Sequence, residues 1–398
     1  MSRPEERARD ARRGIRSEDV AAISAAVTCV TVVGIGLSLS IPLLSIELER
    51  RGASSTLIGL NTAVAGIASI CTVPFVPRLA ARIGVAPLLG LALVVGAISL
   101  ALFPILPGIA LWFPLRFVFS ATLGALFVLS EYWINAAAPP ERRGLVMGIY
   151  ATVLAAGFAI GPLLLALVVT EGLAPYATGA ALMLAGGLPI LLARGLSPTI
   201  EPGSGRGILG YVRLAPGALA AALAYGAVET GIFAILPLYG LRLGYDAQGA
   251  AGLVSLIALG NVLFQIPFGW LADRLDRGAV LLGASLAGAA GSALIPLAAG
   301  SPMAFGLLLL VWGGIAGTLY TVGLAMLGDR TPANDLAGAN AAFVVLYNVG
   351  LMLGPPVIGG GLDLVPPHGF ALALLILFLA FAGWLAAAER PRRTSGAG

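Results

Sequence analysis

Three ionisable side chains stand where the sequence is otherwise continuously apolar: Arg116, Glu131 and Glu229. A charge is costly to hold among apolar neighbours, so each implies a partner, a wet path or a proton to carry. Burial favours the neutral form of a carboxylate and a neighbouring guanidinium favours the ionised form. A site balanced between the two can take up and release a proton. Other chemistry lacks the residues it needs. The single histidine, His368, lies in a short Pro-rich loop, and Cys29 and Cys71 lie in separate apolar runs, so neither a metal set nor a disulfide framework is suggested. The phosphate-cradling pattern G-x-x-x-x-G-K-[ST] is absent, which excludes an ATP-driven carrier within this chain. No cofactor and no metal are expected.

The elements that must position these charges are membrane helices. Of 398 residues, 59% are hydrophobic and only 11% charged, with a mean hydropathy of +0.97. Soluble domains carry about a quarter of their residues as charges, so lipid is the solvent this surface suits. The hydrocarbon core, about 30 Å thick, needs about 20 helical residues to cross. Apolar runs between polar or Pro/Gly breaks give twelve spans, near 20–46, 56–77, 84–104, 108–134, 143–169, 174–195, 212–240, 247–271, 278–298, 302–327, 335–361 and 367–388. The first run is too long for a signal-peptide core of about 7–15 residues and reads as a retained helix. The expected fold is an all-α integral membrane protein with two six-helix bundles, 20–195 and 212–388. A tail at 1–19, a linker at 196–211 and a tail at 389–398 complete it.

All 23 basic residues are arginine, and their distribution reports orientation rather than nucleic-acid binding. Nineteen lie in the two tails and the even-numbered loops, against Arg50, Arg51 and Arg242 in odd-numbered loops. Loops rich in Lys and Arg stay in the cytoplasm. Both termini are therefore expected there, in a bacterial inner membrane, and nothing requires more than a monomer.

The halves repeat. Pro74-Phe75 returns as Pro267-Phe268, and Gly157, Gly161 and Pro162 return as Gly350, Gly354 and Pro355, both at an offset of 193 residues. Internal duplication of this kind marks many transporter folds. The loop after span eight reads GWLADRLDR from Gly269 to Arg277, and it resembles the G-x-L-A-D-R-x-x-R signature of the major facilitator superfamily. The first-half copy is degraded, with Ala81 in place of the acid. In span five, Gly148, Gly157, Gly161 and Pro162 resemble the glycine spacing of drug/proton antiporters in that superfamily, although Leu165 and Ala166 replace a further glycine pair. Arg116 resembles the arginine of another antiporter motif, with Ser120 at its following glycine position. Ser130-Glu131-Tyr132-Trp133-x-Asn135 resembles a little-characterised bacterial branch.

The resemblance implies two pseudo-symmetric bundles with spans one, four, seven and ten lining a central cavity. Glu229 would then be the proton-coupling or cation-binding carboxylate and Arg116 its charge partner. A static pair is the alternative. Glu131, Arg142, Arg143, Gly269, Asp273, Arg274 and Arg277 would form a cytoplasmic gate, or else a solvated loop. The glycines and prolines of spans five and eleven would shape close helix contacts, since residues four apart share a helix face. Thr31, Ser120, Tyr225, Asn261, Gln265, Trp312, Tyr320 and Asn348 are candidates for a substrate cavity, with helix-packing hydrogen bonds as the alternative. The implied function is alternating-access transport, with proton-coupled export of a small lipophilic or weakly polar molecule ahead of proton-coupled uptake. The implied partners are substrate, protons and the bilayer. A receptor or assembly protein without transport is the reading from another class.

Overall fold

The computed structural model describes residues 17–137, 143–167, 172–198, 212–332 and 336–388, and every described regular element is helical. The helices are α1 Ser17–Arg50, α2 Ser55–Thr72, α3 Val76–Ile83, α4 Val85–Leu102, α5 Ile109–Ala137, α6 Arg143–Leu167 and α7 Ala174–Leu192. They continue with α8 Pro216–Arg242, α9 Ala247–Ala272, α10 Arg277–Ala298, α11 Pro302–Arg330, α12 Leu336–Leu364 and α13 Gly369–Ala388. A 3₁₀ turn at Val73–Phe75 joins α2 to α3, so the second expected span is one interrupted helix. Pro74 and Pro77 each remove a backbone donor there, which is why the ladder breaks. Eleven of the described helices are long and apolar enough to cross a membrane. At the fifth expected span the apolar stretch found among the described residues is Thr152–Leu167, within the longer helix α6.

Local chemistry sets the helix ends. Asp246 accepts from the Gly249 N–H at 2.7 Å to open α9, and Asp276 accepts from the Ala279 N–H at 2.8 Å to open α10. Gly84, at φ +93°, turns the chain between α3 and α4, where a side chain would be strained. Large apolar side chains remain outside: Leu192, Ile266 and Leu297 are 80%, 82% and 80% exposed. Water would not tolerate that surface, whereas lipid tails would.

By packing, the chain falls into two compact units. One holds residues 1–40 and 68–203, and the other holds 41–67 and 204–398. The grouping assigns the end of α1 and most of α2 to the unit built from the second half of the sequence.

The repeated glycines do the same work in each unit. A Cβ at Gly157 of α6 would meet the Thr31 carbonyl of α1 at 3.0 Å, and one at Gly161 would run into Ser38. Ser38 Oγ donates to the Gly157 carbonyl at 3.2 Å. In the other unit, a Cβ at Gly350 of α12 would run into the Leu223 carbonyl of α8, and one at Gly354 into that of Ala227. Thus α6 against α1, and α12 against α8, are backbone-to-backbone contacts that only glycine permits. Gly354→Val is expected to destabilise the protein by about 1–3 kcal/mol through overpacking. Gly283→Ala, whose added Cβ meets nothing within 4 Å, should change little. Thermal unfolding of the purified variants in detergent checks both.

Candidate functional site

Tyr225 and Glu229 lie four residues apart on α8 and therefore on one face. The Tyr225 hydroxyl donates to Glu229 Oε1 at 2.6 Å. The Tyr347 hydroxyl, from α12, donates to Oε2 at 2.6 Å. Asn261 of α9 donates through Nδ2 to the Tyr225 hydroxyl oxygen at 2.9 Å. Tyr320 of α11 closes the cluster, with ring centroids 5.3 Å from Tyr225 and 6.1 Å from Tyr347. Four helices thus converge on one half-buried carboxylate, and each of its oxygens receives a phenol. The glycine contacts explain how Tyr347 reaches it. A Cβ on Gly226 would run into the Tyr347 carbonyl, so the absent side chain lets α12 close on α8.

The sequence pointed to Glu229, Tyr225, Asn261 and Tyr320, and the structure brings these four together. It adds Tyr347, whose position three residues before Gly350 was the available signal. Trp312 belongs elsewhere. It is 1% exposed, donates to the Gly288 carbonyl at 2.8 Å and meets Phe378 edge-on, so it is core packing. Asn348 donates to Val344 of its own helix at 2.8 Å, Thr31 donates to Val27 likewise at 2.8 Å, and Gln265 is exposed.

Arg116 lies in the other unit, on α5. It is 2% exposed, and among the described residues no hydrogen-bond partner reaches its Nε–H. Ser120, one turn on, is also buried.

At the loop after α9, Arg277 pairs with Asp329 at 2.9 Å and more loosely with Asp273 at 3.9 Å, tying the start of α10 to the end of α11. Arg274 stacks over Trp270 at 3.8 Å. Asp273, Asp276, Arg277, Asp329 and Arg330 line a cleft of about 330 Å³. Gly269 contributes backbone, its carbonyl accepting from the Asp273 N–H at 3.1 Å. Glu131 is half-buried near the end of α5. Arg142 lies outside the described residues, as do the side chain of Arg143 and the packing of Gly148.

A second network occupies the opposite, odd-numbered-loop end, and sequence reasoning missed it. Asp363, at the end of α12, accepts from the Ser55 N–H at 3.1 Å, the Thr56 N–H at 2.7 Å and the Thr56 hydroxyl at 2.7 Å. It therefore caps α2, a helix from the other end of the sequence, and its charge suits the exposed N–H groups there. Arg242, ending α8, donates to Asp363 at 3.2 Å, to Ser55 Oγ at 2.7 Å and to the Leu362 carbonyl at 3.0 Å. Glu49 of α1 lies 3.7 Å from its Nε. Below the network the backbones nearly touch: a Cβ on Gly59 would run into the Pro355 carbonyl, and one on Gly66 would lie 2.8 Å from that of Asn348. Of these groups only Arg242 served in the sequence, as one of the counted loop arginines, and their separation along the chain hid their meeting.

Comparison with known proteins fits this architecture. The chain is 27% identical over 348 residues to the uncharacterised MFS-type transporter YfkF of Bacillus subtilis, covering 84% of this chain and 86% of that protein. It is 28% identical over 249 residues to the transporter YcaD of Escherichia coli, covering 61% of this chain and 63% of that protein. Among solved structures it resembles the nucleoside transporter NupG, at a TM-score of 0.73 and 17% identity over 95% of this chain and all of that one. A bacterial homolog of the human lysosomal transporter Spinster gives a TM-score of 0.70 at 14% identity, over 94% and 96% of the two chains. The family model for the Major Facilitator Superfamily matches residues 26–313 and 218–398. With its apolar helices, duplicated glycine contacts and GWLADRLDR loop, this multi-pass membrane protein belongs to the Major Facilitator Superfamily of secondary transporters working by alternating access, and is not an enzyme.

Proposed function

We propose that this transporter is a proton-coupled exporter of a small lipophilic or weakly polar molecule, with Glu229 as the group that takes up and releases the proton. The observation that carries the reading is the half-buried Glu229 carboxylate held by two phenols from two helices. Those donors favour the ionised form, while burial opposes it. Displacing either phenol would alter that balance, so proton release at Glu229 responds to whatever moves Tyr225 or Tyr347. The antiporter-like glycine spacing of α6 supports export over uptake.

In this reading both termini lie in the cytoplasm, as the arginine distribution supports. Two six-helix halves rock about the substrate site, as repeats do in this class of carrier. The network of Asp363, Arg242, Ser55, Thr56 and Glu49 is the outer gate: it joins residues of the first six spans to residues of the second six, and must part for the outer face to open. Arg277, Asp329 and Asp273 form the inner charge cluster. The transporter works as a monomer.

Everted membrane vesicles with an acidified interior test direction and coupling together. A panel of lipophilic cations, neutral drugs and organic acids is added, and internal pH is followed with a fluorescent dye. Export by antiport gives compound-triggered alkalinisation of the interior. Further acidification on addition of a compound would instead establish symport and overturn the export reading.

A further inference from the structure

Among the described residues, Arg116 is a buried charge that the proposed proton chemistry does not use. Arg116 sits inside α5 at 2% exposure, and among the described residues no hydrogen-bond partner reaches its Nε–H. Glu229 has its own partners in Tyr225 and Tyr347. A guanidinium stays protonated at any physiological pH, so it cannot escape burial by losing its charge. Ionisable side chains in a span face the protein interior or a wet path, and they persist when function requires them.

The helix surface around Arg116 shows what kind of anion would suit it. Trp112, Arg116 and Ser120 follow at intervals of four, with Phe119 and Leu123 beside them, and all five are buried. Leu111, Pro114 and Val118 form the exposed side of the same helix, so Arg116 points away from lipid. Its surroundings on the helix are thus one hydroxyl and large apolar groups. The rings of Trp112 and Phe119 both pack on Phe103, at 4.9 and 6.1 Å, which fixes this face. No second arginine lies in the middle of any described span. A single planar cation with apolar flanks matches one carboxylate on an apolar body, because the guanidinium fork can hold both carboxylate oxygens at once. A polyanion would need more positive charge than the site offers.

We infer that Arg116 binds the carboxylate of the transported molecule, and that the substrate is an amphipathic organic monoanion. This rests on the transport reading above and narrows it: the weakly polar substrate carries a carboxylate, and its negative charge is neutralised at Arg116 while the proton is handled separately at Glu229.

The test is equilibrium binding to purified protein in zwitterionic nanodiscs, using radiolabelled benzoate, 1-naphthoate and octanoate. At least one should bind saturably, displaced by its unlabelled form but not by the isosteric amide, the isosteric amine or chloride. Arg116→Gln should weaken that binding at least tenfold, with Arg116→Lys intermediate, since an ammonium keeps the charge and loses the fork. Size-exclusion and circular dichroism profiles establish that the variants are folded. Binding is measured at equilibrium without a proton gradient, so failure of the proton-coupling reading would leave this site standing. Undiminished binding in Arg116→Gln would overturn the inference, as would equal displacement by amide, amine or chloride. So would the absence of saturable binding for all three carboxylates to folded wild type.

Discussion

Asp363→Ala is expected to open the odd-numbered-loop face of the protein by about tenfold in population. In this structure Asp363 holds the start of α2 through two backbone N–H groups and one hydroxyl, and holds α8 through Arg242. Each hydrogen bond to a charged group is worth about 1.5–3 kcal/mol. The three to Ser55 and Thr56 are lost if α2 separates from α12, whereas the bond between α8 and α12 is kept, so those three bias one state of the carrier over the other rather than stabilising both. Losing about 1.4 kcal/mol of that difference is already a tenfold shift. Arg242→Lys should give a smaller shift, because an ammonium cannot reach Ser55 Oγ, the Leu362 carbonyl and Asp363 with one fixed fork. A cysteine at Ile46, which is 1% exposed, supplies the readout in a Cys29→Ser, Cys71→Ser background. Its maleimide labelling rate should rise about tenfold in Asp363→Ala, by the same population shift. An unchanged rate would mean that the network is a static clasp.

Tyr347→Phe should slow transport by about tenfold or more while leaving the protein folded. The substitution keeps the ring, and with it the stack on Tyr225 and the edge contact with Tyr320. It removes only the hydroxyl that donates to Glu229 Oε2. An acceptor left unpaired at a half-buried site loses about 1.5–3 kcal/mol when it is charged, which is about one to two powers of ten in an equilibrium constant. Tyr239→Phe is the matched control, since it removes a hydroxyl of the same helix α8 that meets His368 Nδ1 at 3.1 Å instead of Glu229. Initial transport rates alongside thermal unfolding separate the two roles. Equal slowing in both variants would point to general loss of packing.

The lipid-embedded helical fold was legible because it depends on properties that add along the chain. Apolar length, glycine position and the offset of 193 residues need no knowledge of tertiary contacts. At that offset Leu154 and Ala68 stand where Tyr347 and Asn261 stand in the other copy, so these partners of the carboxylate site belong to one half. A duplicated scaffold that differs at those positions has specialised one copy. Glu229 and Tyr225 could be found from a helix spacing of four, whereas Tyr347 arrives from 118 residues away. Trp312 illustrates the opposite error: an aromatic in a cavity-lining span turned its indole to Gly288 and away from the cluster. The network of Asp363 and Arg242 was illegible for a related reason. Single charges at span ends are common, and nothing local distinguishes one that caps a distant helix from one that simply meets water.

The central claim is that Glu229 carries the proton, and reconstituted vesicles test it most directly. Wild type and Glu229→Gln are compared in two assays with one compound identified by the vesicle screen. One assay measures accumulation driven by an imposed pH gradient, and the other measures exchange of labelled for unlabelled compound without a gradient. The expected result is that Glu229→Gln loses gradient-driven accumulation and keeps exchange, because the variant still alternates but cannot move a proton. Gradient-driven accumulation at the wild-type level in Glu229→Gln would contradict the account and place proton coupling on another group.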